Sequence, residues 1–324
     1  MKYYIGIDGG GTKTEGVLTD RDGRILARVF GTASNPNDVT PDGSACVLIS
    51  LIEKLLTESG LSESDLPEIS LFGGIAGGIN HGATLEDALM ARFPTVGALQ
   101  VRSDVQILLS GELPVGDGAC IICGTGSACF VRRGEEIIRI GGWGYLLDSG
   151  GSGYDMGRDT LEAVLRAHDG RGKATALTDM VTAKLGGEAH TRISEIYAGG
   201  KPFIASFAPL AFDAAEAGDE VAIDILRHSA RALAEYIEAA WNCLSEKGNP
   251  PACLPVVMGG GISERCTWWS MMVASLTDDS IPLRISVATA RPVFGAVAEA
   301  AKAAGETHFD TLRAGFTASY GQLA

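Results

Sequence analysis

The chain carries one element twice, and that repeat limits the folds open to it. Tyr3 to Asp8 is rich in β-forming residues and runs into Gly9-Gly10-Gly11. Thr14 to Thr19 and Ile25 to Phe30 read as two more strands, with Asp22-Gly23 as the hairpin between them. The pattern returns at Ala119 to Cys123, an apolar run followed by Gly124-Thr125-Gly126. Ser127 to Val131 and Glu136 to Ile140 are the next strands, and Arg133-Gly134 is the turn. Asp8-Gly9-Gly10-Gly11-Thr12 therefore lies over Cys123-Gly124-Thr125-Gly126-Ser127. The halves stay in step. Ile69 to Phe72 ends in Gly73-Gly74, and Leu254 to Met258 ends in Gly259-Gly260-Gly261. Each is followed by a helical stretch, then by a strand, Leu99 to Ser103 or Leu283 to Val287, that leads into a helix. Each half thus reads β-β-β-α-β-α-β-α.

A helical insertion at about 157–247 interrupts the second half. Asp159 to His168 and Val221 to Leu244 have helical apolar periodicity, and Asp219 stands where an N-cap belongs. A length of 324 residues fits roughly two domains of about 150 residues. The repeat places them at 1–115 and 116–324, each a mixed α/β sheet covered by helices. Two such domains facing one another form a cleft, with the glycine turns of both on one shared site.

The formal charge is −14, from 26 Lys and Arg against 40 Asp and Glu. Nucleic acid and anionic membrane are therefore not expected partners, because both need clustered positive charge. An anionic small ligand remains open, since backbone N–H groups bind phosphate without net positive charge. Met1 to Ile7 is too short for a signal peptide and stops at Asp8, and nothing approaches the ~18 apolar residues of a membrane span. Seven cysteines, an odd number, read as reduced thiols in the cytoplasm.

Gly9-Gly10-Gly11-Thr12-Lys13-Thr14 sits on a tight strand-to-strand turn. Such a turn exposes consecutive N–H groups and lets phosphate come close. Thr12 and Thr14 offer hydroxyls there, and Lys13 a charge. One glycine turn reads as a hairpin; two at equivalent positions point to phosphate. The common nucleotide motifs do not fit. A Walker A loop needs Gly-Lys-Ser/Thr, whereas Thr12 separates Gly11 from Lys13, and no GxGxxG opens a helix. Asp8, beside the first turn, suits Mg²⁺ held through water; the plainer reading is a turn-forming Asp. The repeat is imperfect at one informative place. Val101-Arg102-Ser103 leads to Asp104, while Ile285-Ser286-Val287 leads to Ala288. A strand-end carboxylate can orient a hydroxyl and take its proton, or it can cap a helix starting near Val105. Both readings stand at this point.

With these residues, the chain resembles the N-acetylglucosamine kinase family, grouped with the BadF/BadG-type ATPases. The resemblance rests on Ile7 to Thr14, Ser34-Asn35, Ser103-Asp104, Gly124 to Ser127, Gly141-Gly142-Trp143-Gly144 and Met258 to Ile262, in order through nearly the whole chain. It implies the duplicated ribonuclease-H-like fold of actin-like ATPases, with ATP and Mg²⁺ as cofactors and a homodimer as the assembly. It implies an ATP-dependent kinase of an amino sugar, acting at the 6-hydroxyl. Asp8 and Gly9, Gly10, Gly11, Thr12, Lys13 and Thr14 match the first phosphate motif; Gly124, Thr125, Gly126 and Ser127 match the second. Gly259, Gly260 and Gly261 match the adenosine motif, beside a helix start. Asp104 matches the catalytic base, Asn35 a sugar-binding Asn, and Gly142, Trp143 and Gly144 a sugar-contacting turn. Read without the resemblance, Asn35 is a loop residue and Trp143 a core side chain. One stretch departs. Family members often carry Gly-Asp-Glu-Gly-Ser where this chain has Asp148-Ser149-Gly150-Gly151-Ser152. The carboxylate moves by one position and the Glu is lost, which leaves Asp148 to reach a sugar hydroxyl. Glucosamine kinases of the group have an Asp-x-Gly-Gly run nearby, so free glucosamine stands beside N-acetylglucosamine as substrate.

Two rivals have their own signatures. An activator ATPase of 2-hydroxyacyl-CoA dehydratases needs cysteine ligands for an iron–sulfur cluster. Cys120 and Cys123 form a CxxC, but on a strand residues three apart face opposite ways. A nucleotide-dependent switch needs an appended binding domain or a polymer surface, and this length offers no large extra domain. The five histidines show no zinc spacing and read as surface or structural, and Ser149-Gly150-Gly151-Ser152 is no GxSxG elbow. Trp268-Trp269 and Met271-Met272 read as a buried helix face, with part of it open to a second reading as an oligomer interface.

Overall fold

A computed structural model describes residues 3–246 and 251–322. In chain order the elements are β1 (Tyr3–Gly9), β2 (Lys13–Thr19), β3 (Ile25–Thr32), α1 (Pro36–Val39), α2 (Pro41–Ser59), β4 (Ile69–Ile75), α3 (Gly78–Arg92), β5 (Ala98–Ser103) and α4 (Asp104–Glu112). There follow β6 (Gly118–Cys123), β7 (Ser127–Arg133), β8 (Glu136–Ile140), α5 (Gly153–His168), α6 (Leu177–Leu185), α7 (Ile193–Ala205), α8 (Ala208–Glu216) and α9 (Glu220–Ser245). The last are β9 (Leu254–Gly259), α10 (Thr267–Ser275), β10 (Leu283–Val287), α11 (Pro292–Ala303) and α12 (Phe309–Tyr320).

The chain divides into two compact units, Met1–Val115 with Thr289–Ala324, and Gly116–Ala288. Residues 289–324 were expected in the second domain with the rest of 116–324. They belong instead with the first unit. The reason is packing: α11 is an apolar helix in which Val293, Phe294, Ala296, Val297, Ala300 and Ala301 are all buried. It lies against Tyr4, Val17, Phe72 and Ile107 of the first unit. The Ser70 hydroxyl donates to the Ala300 carbonyl at 2.6 Å, and the Ser110 hydroxyl to the Glu299 carboxylate. Glu112 takes the Thr289 N–H at 2.6 Å and the Ala290 N–H at 2.7 Å. Burial alone pushes the Glu112 carboxyl up, but those bonds and Arg313 outweigh it and hold the carboxyl below its usual range.

The first unit is built on a five-stranded sheet in the order β3-β2-β1-β4-β5, with β1 antiparallel to β2 and parallel to β4. One face takes the apolar stripes of α2 and α3, through Leu48, Leu51, Leu55, Leu85 and Leu89. Each such leucine stabilises by about 2 kcal/mol on full burial. Helix α2 begins on Pro41 after a Thr40 cap and ends at Gly60 in the left-handed region. The second unit repeats the order as β8-β7-β6-β9-β10, with β6 antiparallel to β7 and parallel to β9. Its insertion, α5 to α9, starts at Gly153 rather than at 157, because the Ser152 hydroxyl caps α5 by taking the Asp155 N–H at 3.1 Å. The insertion's last expected residue, Lys247, lies outside the described residues, as do Met1 and Ala324. Asp219 caps α9 as expected, accepting from the Ala222 N–H at 2.9 Å. Among the described residues no helix is long and apolar enough to cross a membrane.

A methyl group at Gly295 would run into the Ile107 carbonyl of α4, which is backbone and cannot step aside. Gly295→Ala is therefore expected to lower unfolding free energy by about 2 kcal/mol or more, or to prevent soluble expression. Urea denaturation checks this; an unchanged midpoint would mean that α11 does not sit so close.

Candidate active site

In the first unit, β1 delivers Asp8 and Gly9 to a turn closed by the Gly10 N–H on the Lys13 carbonyl at 3.0 Å. The Gly11 and Thr12 N–H groups have no hydrogen-bond partner among the described residues. Any side chain at Gly9 would collide with the Ser34 hydroxyl and Ile75. Ser34 is fully buried, and its N–H donates to the Gly10 carbonyl at 3.0 Å. Asn35 is thereby fixed beside the turn. It caps α1 by accepting the Asn37 N–H at 3.1 Å, and its Nδ2 donates to Asp38 Oδ2 at 2.8 Å. Asp38, not singled out from sequence, sits next to Gly11, since a Cβ there would lie 3.2 Å from its Oδ2.

One residue of the first motif does other work than expected. Thr14 is fully buried, with Oγ1 2.7 Å from the Thr32 carbonyl oxygen and 2.7 Å from Ser34 Oγ. Its hydroxyl ties the turn to the Ser34 segment instead of facing a ligand, because strand alternation points it inward. Lys13 is exposed, with Nζ 5.9 Å from the Phe30 ring centroid.

Asp8 is the electrostatic focus. Burial first, then the Glu15 and Asp104 carboxylates, push its carboxyl up to about 6, with Lys13 opposing. Glu15 is itself bound by Arg28 at 2.9 Å and the Tyr320 hydroxyl at 2.7 Å. This crowding of carboxylates fits a divalent cation next to Asp8, which would relieve it. Asp104 is half-buried and opens α4, but the cap is Ser103, whose Oγ takes the Val105 N–H at 3.3 Å. Asp104 Oδ1 accepts from Ser103 Oγ and from the Val105 N–H, both at 3.0 Å. Its Oδ2 has no hydrogen-bond partner among the described residues. The side chain is thus oriented through one oxygen and open at the other.

In the second unit the matching turn is closed by the Gly124 N–H on the Gly126 carbonyl at 2.9 Å. The Thr125 and Gly126 N–H groups lack partners among the described residues. The Ser127 hydroxyl, expected at phosphate, instead donates to the Gly150 carbonyl at 2.6 Å and so ties down the 148–152 stretch. Gly260 has φ +94°, and a Cβ there would come within 2.6 Å of the Cys123 carbonyl oxygen. The Gly259-Gly260-Gly261 segment is therefore seated directly on the base of the second turn. A helix start does not follow at once: α10 begins at Thr267, after a turn in which the Glu264 N–H reaches the Gly260 carbonyl at 3.2 Å.

Trp143 is 64% exposed, not a core side chain. Arg139 stacks on its ring at 4.8 Å and donates to the carbonyls of Gly141, at 2.9 Å, and Gly142. Asp148 is half-buried. It accepts from the Tyr236 hydroxyl at 3.3 Å and the Trp143 N–H at 3.4 Å, and its own N–H donates to the Gly144 carbonyl at 2.7 Å. Tyr236 was not anticipated, since it lies 88 residues away on α9. Asp155, also missed, is buried and accepts from the Gly151 N–H at 3.3 Å and from Arg158 at 2.7 Å. Burial and Asp159 push its carboxyl up against the pull of Arg158. Its only sequence signal was its place three residues after the Ser152 cap.

Two further groups bring metal-capable atoms within 4.8 Å of each other: His168, Glu188 and His190, and Asp155, Asp159 and His228. The spacing of the histidines had hidden both. In the first, the imidazoles stack at 3.9 Å with 18° between planes, whereas a chelated ion lies in the plane of each ring. In the second, Arg158 already pairs with both aspartates at 2.7 Å. Cys120, Cys123 and Cys129 are buried, and burial pushes the Cys123 thiol up to about 12, so it stays protonated and unlike a cluster ligand.

The sequence profile of the BadF/BadG/BcrA/BcrD ATPase family matches residues 5–316. The chain is 34% identical over 249 residues to an N-acetylmuramic acid/N-acetylglucosamine kinase of Clostridium acetobutylicum, covering 76% of this chain and 81% of that one. It is 34% identical over 282 residues to an N-acetyl-D-glucosamine kinase of Dictyostelium discoideum, covering 82% and 86%. Among solved structures, a candidate N-acetylglucosamine kinase from Chromobacterium violaceum superposes with a TM-score of 0.63 over 93% of this chain and 99% of that one, at 24% identity. That likeness carries the fold, the duplicated actin-like ATPase fold of sugar kinases.

Asp8 ionises in the unfolded chain near its ordinary value of 3.8 and in the folded protein at about 6. A raised folded value means stability that is full below the lower number and lost as pH rises through the higher. In metal-free buffer the wild type is expected to lose stability relative to Asp8→Asn between about pH 4 and pH 7, by on the order of 2 kcal/mol. Urea midpoints across that window test it; a flat difference would mean that Asp8 titrates normally.

Proposed function

The chain belongs to the BadF/BadG/BcrA/BcrD ATPase family, and from that membership we propose that it transfers the γ-phosphoryl group of ATP to a hydroxyl of an amino sugar. The substrate is N-acetylglucosamine or glucosamine, at the 6-hydroxyl. The observation that carries the reading is Asp104. It is a strand-end carboxylate with one oxygen fixed and the other open, on the same unit as the Asp8 turn, and it is lacking at the matching strand end, Ala288.

Asp104 Oδ2 takes the sugar hydroxyl proton as the oxygen bonds to phosphorus and ADP leaves. In phosphoryl transfer positioning outweighs base strength, so an oriented carboxylate suffices. The N–H groups of Gly11 and Thr12, and those of Thr125 and Gly126, without partners among the described residues, bind phosphate oxygens, and Gly259 to Gly261 receive the nucleoside. Asp8 is the residue that would hold Mg²⁺, which when bound would supply positive charge against phosphate oxygens. Asn35 and the Trp143-Gly144 turn contact the sugar, with Asp148 on a hydroxyl or an ammonium. Tyr236 and Ser127 hold that loop in place. The seven free cysteines support a reducing, cytoplasmic setting. A homodimer, read from the resemblance, completes the proposal.

A coupled ADP-release assay with MgATP tests the reading against N-acetylglucosamine, glucosamine, N-acetylmannosamine, N-acetylmuramic acid and glucose. Strong stimulation by one of the first two is expected; hydrolysis that no sugar changes would overturn it. Asp104→Asn is expected to lower turnover by about 10²–10⁴ while ATP affinity stays within about twofold. Near-normal turnover would remove Asp104 from the role of base.

A further inference from the structure

Lysine 201 had no part in the sequence reading, yet it stands over the second glycine turn. Its Nζ lies 3.4 Å from the position a Cβ on Gly126 would take. The side chain is half-buried, and no carboxylate, carbonyl or hydroxyl pairs with the ammonium among the described residues. That is unusual in a chain with 40 acidic and 26 basic residues, where a half-buried cation readily finds a partner. What touches it is aromatic. Nζ sits 5.6 Å from the Tyr145 ring centroid, and Tyr145 packs edge-on against Tyr154 at 5.0 Å. The Tyr154 N–H in turn donates to the Thr125 carbonyl at 3.2 Å, so the contacts return to the glycine turn.

The backbone is bent to put it there. Gly200 breaks α7 with φ 61° and ψ −159°, a region that only glycine occupies without strain, and Pro202 fixes the direction of the chain beyond. A backbone bent at a glycine brings an ammonium without a partner to a turn with two unpartnered N–H groups, a site suited to negative charge.

We propose that Lys201, with the Thr125 and Gly126 N–H groups, forms an anion subsite for the terminal phosphates of the nucleotide. The identity of the anion rests on the kinase reading; the subsite itself rests on the geometry. The ammonium acts as a point charge on phosphate oxygens, and it makes the second turn more than a backbone cradle.

The test is calorimetric titration of wild type, Lys201→Met and Lys201→Arg with adenosine, AMP, ADP and a non-hydrolysable ATP analogue in Mg²⁺, beside sugar-dependent turnover. Lys201→Met is expected to weaken ADP and ATP-analogue binding about ten- to hundredfold while adenosine changes less than about twofold. Lys201→Arg, which keeps the charge, should recover most of the loss. Unchanged ADP affinity in Lys201→Met overturns the subsite. So does an equal loss for adenosine, which would mark a structural role. If wild type binds ADP with the Lys201 dependence but no sugar stimulates turnover, the kinase reading fails and the subsite stands. A wild type without ADP affinity overturns both.

Discussion

Each unit hangs on one central strand that runs into a glycine turn, and at each a glycine packs too closely against its neighbours to admit a side chain. At the end of β1, Gly9 lies against the buried Ser34 hydroxyl; beside the end of β6, Gly260 lies against the Cys123 carbonyl. Those close approaches make the turns rigid backbone structures and not flexible loops. Rigidity matters because an N–H group binds an anion well only if it is already oriented and need not be ordered on binding. Closure of each turn by a single internal hydrogen bond leaves two N–H groups without a partner among the described residues in both places.

The surroundings of the two turns differ in sign. The first is crowded with carboxylates: Asp8, Glu15, Asp38 and Asp104. Beside the second stands Lys201, whose ammonium has no carboxylate partner among the described residues. The duplicated scaffold therefore carries divergent chemistry on matching positions, as it does at Asp104 against Ala288. The second set of carboxylates, Asp148 and Asp155, serves the loop after Trp143: one is tied to Tyr236, the other to Arg158 and the Gly151 N–H.

Much of the architecture was legible because its signals are local. Alternating β-formers gave every strand of both sheets to within a few residues, and Asp219 marked a helix start. The candidate site was legible in its backbone and in Asp104, since a repeat exposes what one half has and the other lacks. It was less legible in its side chains. Thr14 and Ser127 look like phosphate ligands by type and place, but each spends its hydroxyl on a carbonyl. Trp143 looks like core by type and is exposed. Gly199-Gly200-Lys201-Pro202 was one more glycine cluster in plain view, without a partner in the repeat to give it meaning.

By itself the sequence determined the two meanders, their glycine turns, the strand-end carboxylate and the helical insertion. Each of these follows from hydrophobic period, turn chemistry or comparison of the halves, all read within a few tens of residues. Only the tertiary structure decided that α11 and α12 return to the first sheet, that Tyr236 holds Asp148, and that Lys201 reaches Gly126. The reason is physical. An apolar helix such as α11 has a face to bury but no local preference for which sheet buries it. Shape decides that, through Gly295 meeting Ile107, and shape is a property of residues far apart in the chain.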